Sequence, residues 1–200
     1  MSEIKKRLDI DVLTAAQNRI RYAFDHCEKI YVSFSAGKDS SVMLHLVLDE
    51  AIRRKRKVGV LFIDLEAQYK LTIKHAEEMF EYYAEWIEPY WVCLPIKLRN
   101  SVSNYEPVWC AWQPEKRNEW VREMPKNCIS DPAYFDFFEP WMEFEEFIEL
   151  FAAWYGGDAT TAAFIGIRCD ESLNRFRTIA VWDKDMHFGK RYTTKVVNEV

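Results

Sequence analysis

The chain has little of what marks several protein classes. Six glycines and seven prolines in 200 residues exclude a fibrous or low-complexity polymer. No run of roughly 18 apolar residues occurs, so no segment reads as a membrane span. The opening residues, MSEIKKRLDI, lack the apolar stretch of a secretory signal. No Cys-x-x-Cys pair is present. The five cysteines (Cys27, Cys93, Cys110, Cys128 and Cys169) are odd in number and widely spaced, which fits reduced thiols in a cytoplasmic protein better than a disulfide framework or a zinc site. Basic residues are outnumbered, 27 Lys and Arg against 32 Asp and Glu. That argues against nucleic-acid binding over the whole surface but leaves room for a local basic patch.

What is present is apolar and aromatic. Hydrophobic residues make up 49% and Phe, Trp and Tyr 16%, too much for a disordered chain and enough for a sizeable core. The length fits a single domain over residues 1–200 of the α/β or α+β kind. Leu13, Ala16, Ile20, Ala23 and Phe24 recur at helical spacing within 9–27. A β-rich run, 29–34, and a nearly continuous apolar run, 58–64, flank a helix that extends to about Arg54. Strand, helix and strand of these lengths make a βαβ unit with parallel strands, and the second strand reads as covered on both faces. A helix over 70–86 and a strand over 90–94 follow. Residues 95–160 read as an insertion and helical segment: Arg99 to Pro132 is irregular and Trp-rich, and 131–158 carries eight acids, ten aromatics and no Lys or Arg. Phe144, Phe147, Ile148, Phe151, Trp154 and Tyr155 there repeat at helical spacing until Gly156-Gly157. A fourth strand is expected over 162–167 and a hairpin around His187 to Gly189. His45 and His75 fall mid-helix and read as packed histidines. Arg53 to Lys57 reads as a solvated helix end, with a nucleic-acid patch as the alternative.

The sharpest local feature is Ser33-Phe34-Ser35-Ala36-Gly37-Lys38-Asp39-Ser40-Ser41, between a strand and a helix. Small residues let backbone N–H groups approach an anion, and the following helix offers unpaired N–H groups and its positive dipole end. Lys38 adds a mobile charge, and Ser35, Ser40 and Ser41 add hydroxyls. The competing reading is a polar turn with Asp39 or Ser40 as an ordinary helix cap. The loop is not a Walker A loop, because Asp39 follows Lys38 and no glycine stands five before Gly37; nor is there a GxGxxG fingerprint.

Ser35-Ala36-Gly37-Lys38-Asp39-Ser40 resembles the SGGKDS "PP-loop" of the ATP pyrophosphatase and phosphoadenosine-phosphosulfate (PAPS) reductase superfamily, with Ala36 standing where that pattern has its first glycine. Leu61 to Tyr69 is similar to the reductases' second strand and the acidic, aromatic segment after it. Gly166-Ile167-Arg168-Cys169-Asp170-Glu171-Ser172-Leu173-Asn174-Arg175 is similar to their arginine-bearing, substrate-holding stretch. The Trp-rich segment from Tyr90 to Trp112 most resembles the PAPS-reductase-like proteins of the immunoglobulin-binding-regulator type. The resemblance implies an adenine nucleotide alpha-hydrolase-like, Rossmann-like parallel sheet between helices. It also implies a ParB/sulfiredoxin-like protein partner. Relatives of this kind are generally longer, so the chain is expected to lack C-terminal elements that they carry.

Residue roles follow by position. Ser33, Ser35, Ala36, Gly37, Lys38, Asp39, Ser40 and Ser41 would surround the phosphates. Lys38 would neutralise transition-state charge, and Asp39 would cap the helix or hold Mg²⁺. Asp64 and Glu66, at the carboxyl end of the second strand, would face ribose or adenine; a solvated strand-end acid is the alternative for Asp64. Arg168 and Arg175 would grip a sulfate or phosphate, with Glu171 among the nucleotide contacts; salt bridging of the two arginines to Asp170 and Glu171 is the alternative. No ECGLH-like cysteine motif occurs, so sulfonucleotide reduction is not supported. The expected activity is PP-loop chemistry at the α-phosphate of ATP or a PAPS-like nucleotide with Mg²⁺. The alternatives are a non-catalytic nucleotide sensor acting with its partner, and, less favoured, a sulfur-transfer component of nucleic-acid modification.

Overall fold

The computed structural model describes residues 9–100, 102, 104–167 and 173. Arg168, Cys169, Glu171, Arg175 and the hairpin expected around 187–189 lie outside the described residues.

Helix α1 (Val12–His26) starts where the Asp11 carboxylate accepts the Thr14 N–H at 2.9 Å, and it buries Ile20 and Phe24. Strand β1 (Lys29–Ser33) alternates: Ile30, Val32 and the following Phe34 enter one core, and Tyr31 enters another. Helix α2 (Lys38–Arg54) and strand β2 (Val58–Ile63) complete the βαβ unit. Val58, Val60 and Phe62 join the first core and Leu61 the second, which explains the nearly unbroken apolar run. Helix α3 (Lys70–Tyr82) leads to β3 (Ile87–Val92).

After an insertion, α4 (Phe144–Gly156) and β6 (Thr161–Ile165) return the chain to the sheet. The strand order is β3-β2-β1-β6, and all three pairings are parallel. Helices α1, α2 and α3 share the core on one face. Phe147, Phe151 and Tyr155 of α4 fill the other. The α/β architecture is thus a parallel sheet between helices.

Tyr155 pins the second layer to the sheet. Its buried hydroxyl donates to the Ile30 carbonyl at 3.0 Å and accepts the Gly59 N–H at 3.1 Å, so one phenol bridges β1 and β2. A Cβ on residue 59 would sit 3.0 Å from that ring, which is why β2 carries glycine there.

The element limits differ from the sequence reading in physically informative ways. Strand β3 begins at Ile87 rather than Tyr90 and takes in Pro89; a proline is tolerated because β3 is the sheet edge. Helix α3 stops at Tyr82, four residues before the expected end. The stretch read as irregular contains an antiparallel hairpin, β4 (Lys97–Arg99) with β5 (Val108–Cys110). Three residues per strand are too few to display alternation.

In the basic run Arg53 to Lys57 the three arginines are held by the fold, while the Lys55 and Lys57 side chains stay exposed. Arg53 and Arg54 both bind Glu50, Arg54 lies 2.6 Å from Asp25, and Lys55 caps α2 in the left-handed region. Arg56 donates to the backbone carbonyls of Phe24, Cys27 and Glu28. The run therefore ties α2 to the end of α1. Among the described residues, no helix is long and apolar enough to cross a membrane.

Candidate nucleotide-binding site

The chain runs outward from β1 to β2 and β3, then crosses to the other side of β1 for β6. In open α/β sheets ligands bind beyond the carboxyl ends of the strands, at such a reversal of direction. Here that point is occupied by the loop after β1 and by Gly166 after β6. A Cβ on residue 166 would approach the Ser40 Cα and N to 3.0 and 3.1 Å, so the two segments touch backbone to backbone. Gly166 opens the arginine-bearing stretch, whose first arginine, Arg168, follows two residues on in the sequence.

The loop itself is tight and open to solvent at Ser35, Gly37 and Lys38. Ala36 takes φ +56°, a left-handed conformation that costs a residue with a Cβ about 1–2 kcal/mol. Helix α2 starts earlier than the polar-turn alternative requires: its cap residue is Gly37, with no side-chain cap, and Asp39 and Ser40 lie inside the first turn.

The serine hydroxyls turn inward. Ser40 donates to the Gly37 carbonyl at 3.0 Å and lies 3.0 Å from the Ser35 hydroxyl and 3.3 Å from the Ser35 N–H. Ser41 donates to the same carbonyl at 2.8 Å and meets His75 Nε2 at 2.8 Å. These hydroxyls brace the loop, while the Lys38 ammonium is 82% exposed and the first N–H groups of α2 have no intrahelical partner. The Asp39 carboxylate lies 3.7 Å from Lys38 Nζ. Ser33 ends β1, half-buried and paired between Leu61 and Ile165.

Asp64 and Glu66 are not solvated. Asp64 accepts from the Trp91 indole at 2.9 Å, from the Glu66 N–H at 3.0 Å and from the Arg122 guanidinium, with its own side chain fully covered. Glu66 accepts the Trp112 N–H at 2.7 Å and the Val121 N–H at 3.2 Å. Arg122 also donates to the Glu66 carbonyl at 3.0 Å and lies over the Trp112 ring at 4.9 Å. Both carboxylates thus hold the Trp-rich insertion against the carboxyl end of β2. Glu66 (φ +61°) and Trp112 (φ +52°) adopt left-handed conformations there, a clustering of backbone strain of the kind found at ligand sites.

His75, Trp112 and Arg122 belong to this region and were not selected as site residues from the sequence. Their partners lie 34 to 58 residues away, and no local pattern marks such a pair. His45 instead bonds the Tyr83 hydroxyl at 2.6 Å between α2 and α3.

The four described thiols are ill suited to nucleophilic work. Burial pushes the Cys93 thiol far above its ordinary value and Cys110 up to about 11, and it raises Cys27 and Cys128 as well. Among the described residues, no group of three or more His, Cys, Asp or Glu side chains is arranged to hold a metal.

A four-stranded parallel sheet between helices, with a tight loop between β1 and α2 at its switch point, defines a Rossmann-like α/β domain. The phosphoadenosine phosphosulfate reductase domain model matches residues 29–128, half the chain, and the chain belongs to this adenine-nucleotide-binding family. It is also 44% identical over 185 residues to an uncharacterized protein, YbdN, of Escherichia coli strain K12. That alignment covers 92% of this chain and 45% of YbdN, so the chain spans less than half the length of this relative.

Proposed function

We propose that the loop after β1 binds the phosphates of an adenine nucleotide, and that the domain supports attack at the α-phosphate of ATP with release of pyrophosphate. The observation that carries this reading is the start of α2 at Gly37, without a side-chain cap, beside the exposed Lys38. The first backbone N–H groups of a helix have no intrahelical partner, and the dipole there favours anions. In the reaction an oxygen or other nucleophile of a second substrate forms a bond to the α-phosphorus. The bond from that phosphorus to the bridging oxygen breaks, and the electron pair leaves with pyrophosphate. Lys38 and the loop amides offset the charge that gathers on the phosphate oxygens.

Asp39 fits a magnesium ion in one respect. It offers a single carboxylate beside the loop, and Mg²⁺ commonly takes one or two protein carboxylates, the rest of its ligands being phosphate oxygens and water. The ion would screen the polyphosphate charge. Arg168 and Arg175 are proposed contacts to the same anion, and Glu171 a contact to another part of the nucleotide; the support is the Gly166 contact with Ser40 just before them. A PAPS-like nucleotide suits the same cradle as ligand. Reduction of such a ligand is not favoured, because burial raises every described thiol.

The test is a pyrophosphate-release assay on purified protein with Mg²⁺ and ATP, run beside mass spectrometry of nucleotides that co-purify. Retained adenine nucleotide and pyrophosphate release that Lys38→Ala abolishes are expected. Binding without release under any acceptor tried would leave a nucleotide sensor, and absence of both would overturn the proposal.

A further inference from the structure

We infer that His75 is a positioning residue for the phosphate loop, acting through Ser41; the inference rests on the nucleotide-binding reading above. The Gly37 carbonyl receives three donors: the Ser41 N–H at 2.9 Å, the Ser41 hydroxyl at 2.8 Å and the Ser40 hydroxyl at 3.0 Å. The Gly37–Lys38 peptide is trans and planar, so its C=O and N–H point in opposite directions. Three donors drawing the Gly37 oxygen into the first turn of α2 therefore aim the Lys38 N–H out of it, toward the loop mouth. That amide sits in the same residue as the exposed ammonium.

A serine hydroxyl has one proton to give. With the Ser41 proton on Gly37, its oxygen is left as an acceptor, a role that assigns His75, whose Nε2 lies 2.8 Å away, to the tautomer protonated at Nε2. The chain of bonds therefore runs from His75 on α3, through Ser41 on α2, to the peptide that faces the anion. Ser41 is buried, so without His75 its hydroxyl oxygen loses its second partner and the hydroxyl is held by the Gly37 bond alone. The Phe34 ring, 6.1 Å from the imidazole and roughly edge-on to it, packs on the histidine from the end of β1 and limits its rotation. In this role His75 acts on the nucleotide through the direction of the Lys38 amide, by way of Ser41.

The experiment measures ATP affinity for wild type, His75→Leu, His75→Gln, Ser41→Ala and the Ser41→Ala/His75→Leu double variant, with thermal melts to confirm folding. A lost oriented hydrogen bond predicts ATP binding about three- to tenfold weaker in His75→Leu and in Ser41→Ala. The glutamine amide, which can donate at a similar reach, restores affinity to within about twofold. The double variant is no weaker than Ser41→Ala alone, since both changes cut one chain. Unchanged ATP affinity in Ser41→Ala overturns the inference even where His75→Leu does not fold. Additive losses, or no rescue by glutamine in a folded protein, overturn it too. Wild type that binds no ATP removes the nucleotide-binding reading and this inference with it, whereas wild type that binds while every variant binds equally removes this inference alone.

Discussion

Ala36, Glu66 and Trp112 each hold a left-handed backbone conformation without being glycine, and all three lie in the segments that follow β1 and β2 or fold back over them. Glycine is used at the contact itself. At Gly166 a methyl group would press on the Ser40 backbone from 3.0 Å, and backbone cannot yield as a flexible side chain does. Gly166→Ala is therefore expected to displace the start of α2 and weaken ATP binding at least tenfold, with a melting temperature lowered by a few degrees; calorimetric titration checks it. At the same scale the buried thiols make a chemical prediction. Burial favours the neutral thiol, so at pH 8 Cys93 and Cys110 should react with an aromatic disulfide reagent only slowly in the native protein and at once after denaturation. The loop's small residues and Lys38 were legible from the chain. The inward turn of Ser40 and Ser41 was not, because a hydroxyl's direction depends on Gly37 and His75, which local spacing does not relate.

The elements are joined by two charged clusters that behave differently. On α2, a hydrogen bond from Arg53, and then one from Arg54, holds the Glu50 carboxyl below its usual range. The native state thus favours the ionised form. Stability from this cluster is present above the usual carboxyl value of 4.5 and is lost as pH falls through the lowered native value. Glu50→Gln should therefore flatten the loss of stability between about pH 5 and pH 3 seen in urea melts of wild type. The second cluster holds the insertion. Arg122→Leu leaves the fully covered Asp64 carboxylate without its cation, and breaking such a buried pair costs about 3–5 kcal/mol. Adding Asp64→Asn should recover part of that loss, and a recovery of nothing in denaturant midpoints would contradict the latch. The βαβ unit, α4 and the parallel strands could be read from periodicity. The β4–β5 hairpin and the latch could not: the former is too short to alternate, and the latter joins residues 58 apart.

At the scale of the molecule, strand order decides where chemistry can happen. The sheet β3-β2-β1-β6 reverses direction beside β1, and the loop, Gly166 and the start of α2 converge at that reversal. The first motif falls on the loop and the start of α2, the second on the end of β2 and the segment after it, and the third opens at Gly166, with its remaining residues from Arg168 outside the described residues. The roles given to Asp64 and Glu66 were harder to foresee, since their engagement depends on how the insertion folds back onto β2. If the loop after β1 is a phosphate cradle, Lys38 is the residue through which to probe it. Its side chain is 82% exposed, so replacing it leaves the core intact. Equilibrium dialysis of ATP against wild type and Lys38→Ala is the direct measurement. Loss of one charge-assisted contact predicts binding weakened tenfold or more, at an unchanged melting temperature. Equal ATP affinity in the two folded proteins would mean that the loop does not hold the phosphates.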